Sequence, residues 1–514
     1  MKRRDLAFLL FAALISADST AVVAKACPSQ VVVKHGESAT ITVDSMRPVR
    51  RLAPTFFGFN LEWVEFQQSL WDSPAGKVRA DVADWLRAFP GAVYRYPGGT
   101  IANSMDWRDT VGAPGMRPIR QFVSWAGPFP ARFGLDEYLG FVRDVNGQPW
   151  YVVNIFGNSD GEMPLGGMAK QAGQLSEYLV RKRQDGLPGI LRWELGNELD
   201  RGEYRWPPEK LAAAARLAAS EIQRSDSEAR FVSLMQEYPA QGEIGITASQ
   251  YNRRLAGALG NQAGEYAMHA YYDGLPGGQP IPVRVGAICE AVRDAQAVSS
   301  QRPVAIWLTE HASVPPNAWV DPNWKNSWPR TGDLGAAISM ADMVIAAAQI
   351  PDVQGAFVHA LHGTDGPWPL FHQEKSGRVY PGAVYWALRI LRDSMLQEAL
   401  PTTTRSPDHS RYDGGYDLRA LVMADAERKR YAVWAVNRSG QPLAARLSIS
   451  ALKNLKLAGK HVWLADRTPR ANNYLIGNRL LPAESTIELA FNEADSATVI
   501  LPAYSVSALS FSSK

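Results

Sequence analysis

Glu198 closes the stretch Leu191-Arg192-Trp193-Glu194-Leu195-Gly196-Asn197-Glu198, and Glu310 closes Val304-Ala305-Ile306-Trp307-Leu308-Thr309-Glu310. In the first, Leu191, Trp193 and Leu195 alternate with polar neighbours, the pattern of a strand with one buried face. Gly196 then lets the backbone come close to something, and an amide and a carboxyl project side by side. A lone Asn-Glu is more often a helix cap, because Asn is a strong N-cap. A carboxyl at each of two strand ends points to different chemistry. Splitting a glycosidic bond uses two: one, protonated, gives its proton to the leaving oxygen, and the other, ionised, attacks the anomeric carbon.

Other residues fit around that pair. Asn197 can hold the sugar hydroxyl beside the reacting carbon. His269 and Tyr271, in Tyr266-Ala267-Met268-His269-Ala270-Tyr271-Tyr272, fall between the carboxyls in chain order. There a phenol can bond the nucleophile and a ring nitrogen can tune the acid. Arg95 can keep Glu310 ionised, since a nearby cation lowers a carboxyl pKa. Singly, each has a plainer role as a cap, a structural histidine or a salt-bridge partner. Together, at strand ends, they form a constellation.

Eight strand–helix units can position them. From residue 55 to about 395, short apolar runs alternate with helical stretches, which predicts a parallel sheet. The strands are Phe56–Trp63, Ala92–Gly99, Trp150–Gly157, Leu191–Glu198, Arg230–Met235, Tyr266–Tyr272, Val304–Glu310 and Val353–Ala360. Eight such units in order predict an α/β fold, a (β/α)8 TIM barrel whose chemistry sits at the C-terminal strand ends. From about 396 the pattern changes to short strands separated by turns, which predicts an all-β sandwich. Gln30–Val33 and Ala39–Asp44 read as strands that join it. The expected organisation is 1–26 an export signal, 27–50 strands joining the sandwich, 51–395 the barrel and 396–514 the sandwich.

Lys2-Arg3-Arg4 precedes an apolar run from Leu6 to Ile15, which is too short to span a bilayer and is followed by small residues. That predicts a secreted or periplasmic protein with no membrane span once the signal is removed. Hydrophobic residues make up 46% and charged residues 20% of the chain, a globular balance. A formal charge of +3, with no long basic run beyond the start, gives no argument for nucleic acid. The only cysteines, Cys27 and Cys289, have the option of pairing but make no disulfide framework, and they exclude a cysteine-rich zinc site.

These motifs resemble the retaining glycoside hydrolases of the large barrel clan with acid/base on strand four and nucleophile on strand seven. Within it the chain is most similar to family 51, the α-L-arabinofuranosidases. Phe57-Gly58-Phe59-Asn60-Leu61-Glu62 resembles the family's first barrel strand, whose glutamate binds substrate. Arg95-Tyr96-Pro97-Gly98-Gly99 followed by Trp107-Arg108-Asp109 resembles its Pro-Gly-Gly segment. Trp193–Glu198, His269-Ala270-Tyr271 and Gly332–Gln349 match its later motifs.

The resemblance implies Glu198 as acid/base and Glu310 as nucleophile, with Glu62, Arg95, Trp107, Asn197, His269 and Tyr271 at the substrate. It also implies net retention, a polysaccharide or oligosaccharide substrate, no cofactor and no metal; family relatives are often homo-oligomers, an option the sequence leaves open here. Two departures fall at sugar-contacting positions. Thr100 stands where the family has asparagine, and Thr309-Glu310-His311 replaces Asp-Glu-Trp. The mechanism therefore carries over further than the sugar. An endo-acting β-glycanase, a transglycosidase and a non-catalytic carbohydrate-binding or cell-surface protein are the competing readings.

Overall fold

The computed structural model describes residues 27–61, 70–72, 74–122, 127–236, 245–262, 264–273, 280–298, 303–314, 330–361, 367–374, 376–474, 477, 479–493 and 495–512. Residues 1–26, expected to be an export signal, and Glu62 lie outside these residues.

Eight parallel strands close into a barrel in chain order. They are β1 (Phe57–Asn60), β2 (Val93–Tyr96), β3 (Gln148–Val153), β4 (Arg192–Leu195), β5 (Phe231–Leu234), β6 (Glu265–Tyr272), β7 (Ala305–Ser313) and β8 (Val353–Val358). Between and after them run the helices α1 (Ala80–Leu86), α2 (Leu135–Asp144), α3 (Leu165–Gln184), α4 (Pro208–Gln223), α5 (Ala248–Leu259), α6 (Ile281–Val298), α7 (Leu334–Gln349) and α8 (Ala383–Ser394).

The period of two along each strand divides its side chains between two environments. Phe59, Tyr94, Trp193, Leu195, Met268 and Leu308 pack into the layer shared with the helices. Val93, Trp150, Val232, Leu234, Ala267, Trp307 and Phe357 form a separate cluster that fills the lumen. Its rings are in contact, with the Trp150 centroid 5.1 Å from Trp307 and 5.2 Å from Phe357. Two residues further along β2, β6, β7 and β8, on the same face, come Arg95, His269, Thr309 and His359. The apolar plug is thus a floor on which a polar layer stands.

The C-terminal strands are β9 (Thr402–Ser406), β10 (Leu418–Ala424), β11 (Arg430–Asn437), β12 (Leu443–Ile449), β13 (Lys456–Ala465), β14 (Ala483–Ala490), β15 (Ser496–Leu501) and β16 (Ser505–Ser512). They form a five-stranded and a seven-stranded sheet, and both take in N-terminal residues. Ala39–Val43 lies inside the five-stranded sheet, antiparallel to β9 and parallel to β12. Its alternating burial places Ala39, Ile41 and Val43 in the sandwich core. The expected strand at 30–33 is not one. Ser29–Val31 forms a 3-10 turn, and the Val31 carbonyl accepts from Arg419 Nη1 at 2.7 Å instead of from a ladder partner. Cys27 and Cys289 of α6 are joined by a disulfide. No described helix is long and apolar enough to cross a membrane.

Helix α7 touches β7 and β8 on one side and β10, β11 and β16 on the other, which is why it is apolar nearly all round. Its one carboxylate, Asp342, is fully buried between them. Asp342 accepts from Arg419 Nε at 2.5 Å, Arg438 Nε at 2.7 Å and the Tyr416 hydroxyl at 2.9 Å. Removing one partner of a buried ionic cluster costs about 3–5 kcal/mol, because the remaining charges stay buried and unpaired. Asp342→Ala is therefore expected to lower stability by about that amount, with barrel and sandwich unfolding in one earlier calorimetric transition. An unchanged midpoint would show that this network does not hold the two layers together.

Candidate active site

The polar layer converges on Arg95, whose side chain is fully buried. Its Nε and Nη2 donate to the two carboxylate oxygens of Glu194, both at 2.8 Å. Nη1 donates to Glu310 Oε1 at 2.7 Å and to Asn60 Oδ1 at 3.2 Å, and Nη2 also donates to Asn197 Oδ1 at 2.8 Å. One guanidinium thus fixes groups from β1, β4 and β7. Its planar fork of donors makes this geometry available to arginine and not to lysine.

Two backbone features bring Glu198 and Glu310 to the same place. On β7 the register slips: Met268 pairs with Leu308, but His269 pairs with Glu310. Thr309 is the extra residue of a bulge, and bulges re-aim side chains. Thr309 and Glu310 therefore both reach the lumen, Thr309 toward Glu194 Oε1 at 3.4 Å and Glu310 toward Arg95. On the other side, β4 ends at Leu195. Gly196 has φ 83° and Glu198 has φ 49°. The left-handed conformation is costly for a residue with a Cβ and is typical of functional positions. Asn103 holds this turn: its Nδ2 donates to the Asn197 carbonyl at 2.6 Å, and its Oδ1 accepts from the Asn197 N–H at 3.0 Å.

His269 lies between the two carboxyls. Its Nδ1 is 2.7 Å from Glu198 Oε1 and 3.5 Å from Glu310 Oε2. The Tyr271 hydroxyl donates to Glu310 Oε2 at 2.7 Å. An oxygen of Glu198, one of Glu310 and a ring nitrogen of His269 all lie within 4.8 Å of one another. Glu310 is deep, with 5% of its side chain exposed, whereas Glu198 is 28% exposed and faces the mouth.

The charges follow from these contacts. Burial pushes the Glu310 carboxyl up, but His269, His359, Arg95 and the Tyr271 hydroxyl outweigh it and hold the group well below the usual carboxylate range. Burial likewise opposes the charge on Glu194, yet Arg95 and His269 bring its pKa down to about 2. For His269, burial acts against protonation, and Glu310, Glu194 and Glu198 overcome it, raising the pKa to about 10. His269 therefore carries its proton at neutral pH.

The structure brings Arg95, Asn197, Glu198, His269, Tyr271 and Glu310 together. It turns Trp107 elsewhere: the indole Nε1 donates to the Gln171 carbonyl at 3.2 Å, and the ring packs on Tyr178 of α3. Residues the sequence reading did not place here are Asn60, Asn103, Glu194, Thr309 and His359. Glu194 was legible by parity, because it shares a strand face with Arg192, opposite Trp193 and Leu195. Trp368, which follows β8, is 7% exposed. It packs on Tyr271 and His359, with centroids 5.4 and 4.8 Å apart, and its indole donates to the Ser313 carbonyl at 3.0 Å.

The sequence and the fold both have known counterparts. Residues 85–198 match the model of the alpha-L-arabinofuranosidase 1 domain, a segment that ends on Glu198. The intracellular exo-alpha-(1->5)-L-arabinofuranosidase of Streptomyces lividans is 26% identical over 251 residues, 46% of this chain. The match spans 37% of that protein's length. The α-L-arabinofuranosidase of Thermotoga maritima, solved as an arabinose complex, superposes with a TM-score of 0.74 at 18% identity, covering 92% of this chain and 99% of that one. The family 51 arabinofuranosidase of Xanthomonas axonopodis pv. citri gives 0.75 at 17%, with the same coverage of both chains. At such identities the structural likeness is one of fold. The resemblance to family 51 arabinofuranosidases is thus found in the family model, in curated sequences and in the fold of barrel and sandwich alike.

Proposed function

We propose that this protein is a retaining glycoside hydrolase of the α-L-arabinofuranosidase type, acting by double displacement on an oligosaccharide or polysaccharide. The separation of the two carboxyls carries this reading. Retaining enzymes place them about 5–5.5 Å apart, whereas inverting ones leave room for a water at about 6.5–9.5 Å. Oxygens of Glu198 and Glu310 within 4.8 Å fit the first class. Glu310, ionised and held by Arg95 and Tyr271, attacks the anomeric carbon. Glu198, at the mouth, protonates the leaving oxygen and then draws a proton from water for the second displacement.

The hydrogen bond between Glu198 and His269 supplies the proton. Burial raises the Glu198 carboxyl, Arg201 and His269 bring it down and Glu310 pushes it back up, with a net result below the usual range. In the empty site the shared proton therefore rests on His269. Substrate that displaces water disfavours the separated charges and moves this proton onto Glu198, ready for transfer. Once Glu310 has become a neutral ester, its charge no longer holds a proton on Glu198, and the carboxylate is free to act as base.

Aryl glycosides test this reading: α-L-arabinofuranoside, β-glucoside, β-xyloside and β-glucuronide. Hydrolysis of the arabinofuranoside is expected, and proton NMR should show the α-anomer as the first product. A β-anomer appearing first would exclude double displacement. Glu198→Ala should lose about 10²–10⁴ in kcat on a poor leaving group. On dinitrophenolate, which leaves without protonation, it should lose far less.

The protein is further proposed to be exported. The basic start and short apolar run favour this. So does the Cys27–Cys289 disulfide, since such bonds persist in oxidising compartments. Sequencing the N-terminus of the protein recovered outside the cytoplasm checks it, and an intact Met1 would count against it.

A further inference from the structure

Asp200 and Arg201 follow the candidate acid/base in the chain, and neither gives or takes a proton or attacks in the reaction outlined above. Asp200 is 1% exposed and grips Arg201: Nε lies 3.1 Å from Oδ1 and 3.2 Å from Oδ2, and Nη2 lies 3.0 Å from Oδ2. A turn closed by the Arg201 N–H on the Glu198 carbonyl at 3.3 Å brings the guanidinium back over the residue three before it. Its Nη1 then stands 3.6 Å from Glu198 Oε1. Only 13% of the Arg201 side chain is exposed, so solvent screens this contact weakly.

The oxygen that Arg201 faces is the same one that His269 Nδ1 meets at 2.7 Å. Oε1 therefore meets two cationic groups, one on β6 and one on the loop after β4. Of the other titratable groups around Glu198, Glu310 faces it from β7 and Tyr204 from its own loop, and Glu194 stands behind His269. Arg201 is the only one of these that is a fixed cation, charged at every working pH.

We propose that Arg201 is a positioning residue for the acid/base: held by Asp200, it anchors Glu198 Oε1 and sets the pH above which Glu198 no longer delivers its proton. The inference rests on the glycosidase reading for its consequence, though not for its geometry. With Arg201 in place the carboxyl gives up its proton more readily, so the wild-type enzyme works over a more acidic range than its other groups alone would dictate. An opposite charge within about 4–6 Å lowers a carboxyl pKa by one or more units. Removing it changes the protonated fraction on the alkaline arm by about tenfold, at one unit per factor of ten.

The test compares wild type, Arg201→Gln and Arg201→Lys on 4-nitrophenyl and 2,4-dinitrophenyl α-L-arabinofuranosides across pH. The basic limb of kcat/KM is expected at higher pH in Arg201→Gln. The ratio of mutant to wild-type rate on the nitrophenyl substrate should rise about tenfold from the plateau to the alkaline arm. Arg201→Lys, which keeps the charge, should restore the wild-type limb, and the dinitrophenyl substrate should show little of the effect. A uniform loss at every pH, with the limb unmoved, would overturn the proposal and leave Arg201 merely structural.

A second readout does not need turnover. The infrared carboxylic-acid stretch that Glu198→Gln removes is titrated in wild type and in Arg201→Gln. A shift to higher pH without hydrolysis of any glycoside would uphold the tuning while sinking the glycosidase reading. An unshifted band would sink the tuning whatever the activity.

Discussion

Glu310→Ala should abolish turnover on aryl α-L-arabinofuranosides, with kcat falling by at least about 10⁴-fold, the scale on which removing an attacking side chain acts. Loss of activity alone proves little, because a hole at the bottom of the site can disturb its neighbours. The discriminating result is rescue. The alanine variant leaves space where the carboxylate stood, below the sugar, with Arg95 Nη1 and the Tyr271 hydroxyl still aimed into it at a vanished acceptor. Azide is small and anionic and fits both requirements. Added azide should restore release of a good phenolate and give a glycosyl azide of inverted configuration, since a single displacement replaces two. A glycosyl azide of retained configuration would make Glu310 the acid/base instead. No rescue, in a variant whose folding matches wild type, would argue against nucleophilic attack from this position.

Arg95→Met should be as damaging to activity, and unlike Glu310→Ala it should also be strongly destabilising. Methionine approximates the volume of the arginine stem but leaves Glu194, fully buried, and Glu310, 5% exposed, without the guanidinium that both share. Removing one partner of a buried pair costs about 3–5 kcal/mol. The pH dependence identifies the cause. In wild type the Glu194 carboxyl is held down to about 2 by Arg95 and His269, against the push of burial. A depressed carboxyl contributes stability above its ordinary pKa, and that contribution is lost as pH falls toward the folded value. From the ordinary value of 4.5 to about 2, the shift corresponds to roughly 3 kcal/mol. The stability gap between wild type and Arg95→Met should therefore be full at pH 7 and narrow on acidification through this window. Denaturant unfolding at pH 7 and pH 3 measures it. A gap of the same size at both would mean that the loss is packing rather than charge.

Much of this site was legible in the chain because strand alternation is a local property. Glu198, Glu310, His269 and Tyr271 were found by asking which polar residues end apolar runs, and counting eight such runs was enough to expect the barrel. The motif Gly332–Gln349 holds helix α7, an unbroken apolar stretch that is buried nearly all round. The strands β9, β13 and β15 and the helices α5 and α8 were not anticipated. β13, Lys-Leu-Ala-Gly-Lys-His-Val-Trp-Leu-Ala, is fixed by pairing with both β14 and β16.

What the sequence determined by itself was the set of groups and the scaffold: two carboxyls, a histidine, a tyrosine and an arginine at the ends of strands β2, β4, β6 and β7. What only the tertiary structure decided was how they are wired. The bulge at Thr309 cannot be read from composition, because it depends on the register that β6 imposes on β7. Trp107 carries a family-like motif yet turns to α3, because the partner that satisfies its indole is a carbonyl far away in the chain. Gly98, at φ 69°, reads as a turn residue. In the fold its missing Cβ is what leaves room for Asn60, whose Oδ1 would lie 2.1 Å from it, beside Arg95. Arg95 itself could be linked in advance to one carboxylate. That it serves two carboxylates and two amides at once follows from barrel closure, which brings β1, β2, β4 and β7 around one guanidinium and leaves each of these charges with no other place to go.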